Sequence, residues 1–334
     1  MEEIAQTGTS SRVVMIVVVI TVVGVAAFTY SYLAPPPGGT NDNSITVPGM
    51  PYRDNYTQHG PIVIQGDASL ANLAASEGWP GNGSALNPYV IEGLEIQSAD
   101  VCITISSVRE MHIFVRECLL WTTSWQWGIC LRILNSSNIE VNSCVAHTGL
   151  EGIIAFQSDN LVVKGCGVYD TIFGINASIC NNVWIEDCIA LNCTFGVTFC
   201  AGFQVNVLGT WVFNSLVGIM SQSSNNTDVW NCTVSSNVRG IDVDQDCMNW
   251  DIRECTVLNN TEVGIEVGSR SSNITVVLNR IGWNGLNARD DGLVNYWDLG
   301  SGFGNTWSDY SGTGVYLIQG TAGSVDHFPT ILSH

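Results

Sequence analysis

From Pro88 to Ile281 the chain is a succession of short apolar–polar alternations, and none of them carries the three-to-four spacing of an amphipathic helix. A glycine followed by a β-branched residue recurs at Gly128, Gly152, Gly174, Gly196, Gly218, Gly240 and Gly264, at intervals of 22 or 24 residues. Each glycine opens an alternating run such as Ile175 and Ala177. A second run follows (Val183, Ile185), and then a cysteine with an apolar residue two places on (Cys188, Ala190). Alternation of period two describes a strand with one buried face, so each unit predicts three strands. Leucine-rich repeats share this unit length, but the Leu-x-x-Leu-x-Leu core and the helical half are missing. Three strands per unit, wound as a coil, predict a parallel β-helix of eight or nine turns. One turn buries nothing alone, whereas a stack encloses a continuous core.

Cys118, Cys144, Cys166, Cys188, Cys232 and Cys255 fall at corresponding positions, with Thr210 in the one gap. The residue two places on is apolar each time, which puts thiol and apolar residue on the inward face and leaves Thr233 and Thr256 outside. A free cysteine packs as a small apolar side chain, so this column is read as structural. No zinc-type spacing occurs, and the pairing of the other six cysteines stays open. Gly165, Asp187, Gly209 and Asn231 precede ladder positions and are residue types that tolerate φ > 0. A left-handed corner is therefore expected there.

The outward positions carry the candidate chemistry. Aligned on the glycines, Asp242 and Asp244 point out on one turn and Glu266 on the next, the only candidates for a catalytic carboxylate set. Residues two apart on a strand are about 7 Å apart, a separation inverting glycosidases use. Trp184, Trp211 and Trp230 also fall outside, and Trp121, Trp125 and Trp127 crowd a loop before the regular repeats. Clustered tryptophans are interface anchors, so that loop is the expected binding contact.

Before the repeats, Val13 to Ala34 is free of charge. About 20 apolar residues suffice to cross a bilayer, and a cleaved signal has a shorter apolar core, so an uncleaved anchor is expected. Arg12 precedes it and the next cation is Arg53, placing the N-terminus inside and the remainder outside the cell or in an equivalent periplasm. The expected organisation is a cytoplasmic tail (1–12), a transmembrane helix (13–34), a Pro/Gly/Asn-rich stalk (35–60), a β-helix with its N-terminal cap (61–288) and a capping segment (289–334). Nine Asn-x-Ser/Thr sequons suit an external domain. The formal charge is −19, with 11 Lys and Arg against 30 Asp and Glu, which excludes a phosphate-neutralising nucleic-acid surface.

The segment from Pro61 to Ile96 (PIVIQGDASLANLAASEGWPGNGSALNPYVIEGLEI) resembles the entry of NosD-type right-handed β-helix proteins. The run Asn295, Trp297, Asp298, Gly304, Asn305, Trp307, Ser308, Asp309 and Tyr310 is similar to their exit motif. The resemblance implies right-handedness, with Trp297 and Trp307 as plugs of the terminal cap. It also implies an accessory role in copper delivery to a nitrous oxide reductase, and a calcium-type loop after the exit motif. Gly312–Ser324 contains no carboxylate for such a loop, and the few scattered His and Met offer no copper cluster. Neither metal nor cofactor is therefore expected. The expected function is a membrane-anchored surface β-helix that binds glycans or neighbouring surface proteins. A copper-maturation accessory and a polysaccharide lyase or hydrolase are the alternatives.

Overall fold

The computed structural model describes residues 55–333. The expected tail, membrane span and most of the stalk lie outside the described residues. Among those described, no helix is long and apolar enough to cross a membrane.

The described chain is a right-handed parallel β-solenoid. Every turn runs through a strand of one separate nine-stranded sheet, then a short strand, then a strand opening near the repeat glycine. One regular turn comprises Asn181–Glu186, Ile189–Leu191 and Phe195–Cys200. We call the three sides the asparagine face, the short face and the glycine face. Nine complete turns with a partial turn at each end make about 11. Pairing is in register: Val183 lies between Leu161 and Val205, and Ile175 between Ile153 and Val197. The coil begins earlier than the expected boundary at 61, because Thr57–His59 pairs with Leu94–Ile96.

Three inward columns mark the corners. The expected thiol column, Cys118, Cys144, Cys166, Cys188, Cys232 and Cys255, is buried, and the thiols donate to backbone carbonyls such as those of Val115, Val141 and Val163. Burial pushes Cys144, Cys166 and Cys255 well above the ordinary thiol range. Toward the C-terminal end the column continues as Asn279 and Asn305. The residue before it is left-handed as expected: φ is 57° at Gly165, 51° at Asp187, 57° at Gly209 and 53° at Asn231. A second corner carries Ser136, Ser158, Cys180, Ser224, Cys247 and Ser271. The third carries Thr171, Cys193, Ser215, Asn237, Asn260 and Asn284. All twelve cysteines are free, so the open pairing question closes on thiols.

The repeat glycines are sites of close approach. A Cβ on Gly196 would sit 2.3 Å from Val212 Cγ1 and 2.7 Å from the Gly218 carbonyl oxygen. A bulkier residue would force the short strand and the glycine strand apart.

Both ends of the core are closed, as an open solenoid end would expose strand edges. At the N-terminal end, helix α1 (Asp67–Glu77) buries Leu70 and Ala74, and its Asp67 carboxylate accepts the backbone N–H groups of Arg109, Glu110 and Met111. At the other end Trp297 and Trp307 are fully buried as expected. Trp297 Nε1 donates to Asp290 (2.9 Å) and Trp307 Nε1 to Asp326 (2.9 Å).

Candidate functional site

The glycine face holds the carboxylates singled out in the sequence. Asp242 and Glu266 do stand side by side on successive turns, continued by Arg289. The expected exposed acidic patch is corrected in two respects. Asp242 is buried, with only 4% of its surface exposed, and arginines interrupt the cluster. Arg239 pairs with Asp242 and reaches Glu266 (3.5 Å) and Glu262 (3.8 Å), while Arg289 binds Asp291 (2.6 Å) and lies 4.0 Å from Glu266. Asp244 falls beyond the end of its strand, Arg239–Val243, and is half-buried. The cations were visible in the sequence, but the contact of Arg239 with Asp242, three residues on, was not.

Burial, reinforced by Glu266 and Asp244, outweighs Arg239 and pushes the Asp242 carboxyl up to about 7. Its folded-state value thus lies above the ordinary 3.8, so the protonated form favours the folded state. That contribution is complete below the ordinary carboxylate range and is lost as pH rises toward 7. Wild type should lose on the order of 2–4 kcal/mol between pH 4 and 8 relative to Asp242→Asn. Urea unfolding of both proteins across that range tests it, and parallel pH profiles would reject it.

On the short face, Trp121, His147 and Tyr169 form a stack on successive turns, with ring centroids 5.9 and 4.7 Å apart and planes within 7°. Burial lowers the His147 imidazole to about 4. Trp121 also donates to Glu95 (3.3 Å). It is therefore a half-buried member of this stack, which corrects the expectation of a free contact. Trp125 and Trp127 do project from the loop, 41% and 71% exposed. Trp211 is exposed on this face, edge-on to Phe213.

The asparagine face is flat and solvent-facing. Its second column is Asn138, Asn160, Asn182, Gln204, Asn226, Asn249 and Asn273, every one with positive φ. The amides form an exterior ladder: Asn160 donates to Asn138 (3.3 Å), Asn182 to Asn160 (2.9 Å), Asn249 to Asn226 (2.9 Å) and Asn273 to Asn249 (2.8 Å). Trp184, Phe203 and Trp230 stand exposed on three consecutive turns of this face. Trp184 Nε1 donates to Asn182 Oδ1 (3.1 Å), which fixes its indole beside the ladder. This column was not singled out from the sequence, although its spacing of 22 between Asn138, Asn160 and Asn182 was available there.

Residues 102–312 match the family described as "Periplasmic copper-binding protein (NosD)". The chain belongs to the NosD family. No curated protein matches it. Among solved structures, PfbA, a surface adhesin of Streptococcus pneumoniae, aligns with a TM-score of 0.53 at 12% identity, covering 72% of this chain and 73% of that one. The periplasmic alginate epimerase AlgG gives 0.48 at 13% identity, covering 73% and 78%. The Dettilon tailspike protein gives 0.47 at 14%, covering 74% of this chain and 59% of the tailspike's length. At such identities the likeness to PfbA speaks for the fold alone.

The copper in the NosD description was tested against the donors present. Among the described residues no three His, Cys, Asp or Glu side chains converge on one point. The ladder thiols are buried and hydrogen-bonded to carbonyls. His147 is held within its stack, His59 faces Glu77, and His327 is fixed on Asp298 (2.8 Å). Copper needs convergent soft donors, and this arrangement does not fit it. A cavity within the coil is lined by Ile139, Leu161, Ile175 and Val183, and belongs to the core.

Proposed function

We propose that this NosD-family protein is a membrane-tethered envelope protein whose solenoid lies outside the cytoplasm and holds an extended glycan on its asparagine face. The apolar segment 13–34 supports the tether, and the charge asymmetry of Arg12 against Arg53 supports the orientation. One observation carries the binding reading: Trp184, Phe203 and Trp230 are exposed on three successive turns of one sheet, spread across its width among amide side chains, with Trp184 and Trp230 in columns two residues apart. A pyranose ring has one face of C–H groups and a rim of hydroxyls. Indole and phenyl rings take the first, while Asn and Gln, each both donor and acceptor, take the second. Trp184 and Trp230 are two turns apart, about 10 Å along the axis, which suits a chain laid lengthwise.

Among the described residues the strands of this face are flanked by short connections, which leave it unwalled against water. Docking is therefore favoured over turnover, which needs a walled site and placed acid and base groups. Because the chain is strongly acidic, the glycan it holds is neutral. A neighbouring surface protein is the other occupant such rings would suit.

Trp184→Ala and Trp230→Ala should each weaken glycan retention about 30-fold, the loss of roughly 2 kcal/mol typical of a tryptophan anchor. Binding of the full-length chain to a panel of neutral glycans measures this, with circular dichroism confirming the fold. Retention unchanged in the double variant would dismiss the asparagine face.

A further inference from the structure

The exterior amide ladder has one interruption, and it lies next to Phe203 and near Trp184. Asn182 donates toward the N-terminal end and accepts the Trp184 indole. Asn226 accepts from Asn249. Between them stands Gln204, exposed, with a side chain that joins neither rung, and the Asn226 Nδ2 has no acceptor among the described residues. Phe203 is the adjacent residue, and Trp184 and Trp230 stand on the turns before and after. Every other member of the column exchanges a hydrogen bond with a ladder neighbour. At Gln204 that hydrogen-bonding capacity is left facing solvent, beside Phe203 and two strand positions from the column of Trp184, while Trp230 aligns with Leu208 farther along the strand.

We propose that this gap is the subsite for the acetamido group of an N-acetylated hexosamine within a neutral glycan, an assignment that rests on the glycan reading of this face. An acetamido group presents one N–H, one carbonyl and one methyl. The Gln204 carbonyl oxygen accepts the N–H, the free amide N–H groups of Gln204 and Asn226 serve the carbonyl, and the methyl lies against a ring. A plain hydroxyl offers no such matched set. Asp228, on the neighbouring outward column, turns away glycans bearing carboxylates, whereas Asp251 beside it is paired with Arg253. The preference comes from pairing amides that would otherwise be left unmatched once the sugar displaces water.

The discriminating variant is Gln204→Asn. The backbone at 204 has φ 56°, a region Asn occupies more readily than Gln, so folding is preserved. The shorter amide completes the ladder, donating to Asn182 and accepting from Asn226, and so removes the open capacity without touching a ring.

Titration calorimetry of the full-length chain with tetra-N-acetylchitotetraose (hereafter chitotetraose) and with cellotetraose, which share a backbone but differ in the acetamido group, is the test. Wild type should prefer chitotetraose at least tenfold, and Gln204→Asn should erase that preference. If Gln204→Asn keeps the preference while Trp184→Ala and Trp230→Ala lose both sugars, the subsite assignment fails and the glycan face stands. If neither sugar binds wild type, or the tryptophan variants bind both as well as wild type does, the face and its subsite fall together.

Discussion

Trp307→Ala is expected to remove about 4 kcal/mol of stability, one of the largest losses any single substitution in this chain should produce. The indole is fully buried at the end of the coil and stacks on Tyr316 with centroids 3.9 Å apart. Its strand pairs with Arg280 and Ile281 on one side and Thr330 and Ile331 on the other. Truncation leaves a cavity that a rigid strand stack cannot collapse. It also deprives Asp326 of a donor, on a carboxyl that burial already raises. Trp307→Phe keeps the ring and loses only the N–H, so it should cost about 1–3 kcal/mol. Urea unfolding measures both, and hydrogen exchange should show the C-terminal turns opening first. A loss below 1 kcal/mol for the alanine variant would mean that the plug is dispensable.

The coil was legible because its determinants are local and repeated. Gly174, Val183 and Cys188 each state a constraint on one turn, and the next turn restates it in register. The left-handed corners were legible for the same reason at Gly165 and Asn231. Three other left-handed positions per turn escaped: one holds Gln157, Ile179 and Ala201, residue types that give no signal, while the other two hold mostly Asn and Asp, such as Asn182 and Asn192, whose spacing was available but sits within or beside strands. Neighbouring turns hold those residues in place through the ladders. Helix α1 was hidden too, since only Leu70 and Ala74 of its face are buried.

The candidate site was less legible, because it depends on which outward residues meet. Trp184 and Trp230 were recognised as exterior. Their shared face with Phe203, however, needs the register of three turns, and Gln204 gains meaning only from its neighbours' hydrogen bonds. Charge reading erred for a related reason. Asp242, Asp244 and Glu266 look like a crowd of like charges until Arg239 and Arg289 are placed between them.

Asn260→Leu should be about as damaging as the loss of the plug, for a different physical reason. The side chain is fully buried at the corner between the short and glycine faces. Its Oδ1 accepts the Asn237 backbone N–H (3.0 Å) and side-chain N–H (3.1 Å), and its Nδ2 donates to the Val234 carbonyl (3.2 Å) and to Asn284 Oδ1 (2.9 Å). Leucine has the same number of side-chain heavy atoms, so no cavity opens, and its two bulkier methyls add some overpacking to the loss of polar satisfaction. Two buried groups would lose this partner, the Asn237 backbone N–H and the Val234 carbonyl, while Asn284 Oδ1 keeps the backbone N–H of residue 260 (2.9 Å). Each costs about 1–3 kcal/mol, giving an expected total near 3–5 kcal/mol. The adjacent Asn259, exposed and left-handed with φ 57°, is the control. Asn259→Gly should leave stability within about 0.5 kcal/mol. Equal unfolding midpoints for the two variants would show that the corners are held by backbone pairing alone. A deficit confined to Asn260→Leu would identify the inner amide column as what keeps each turn in register with the next.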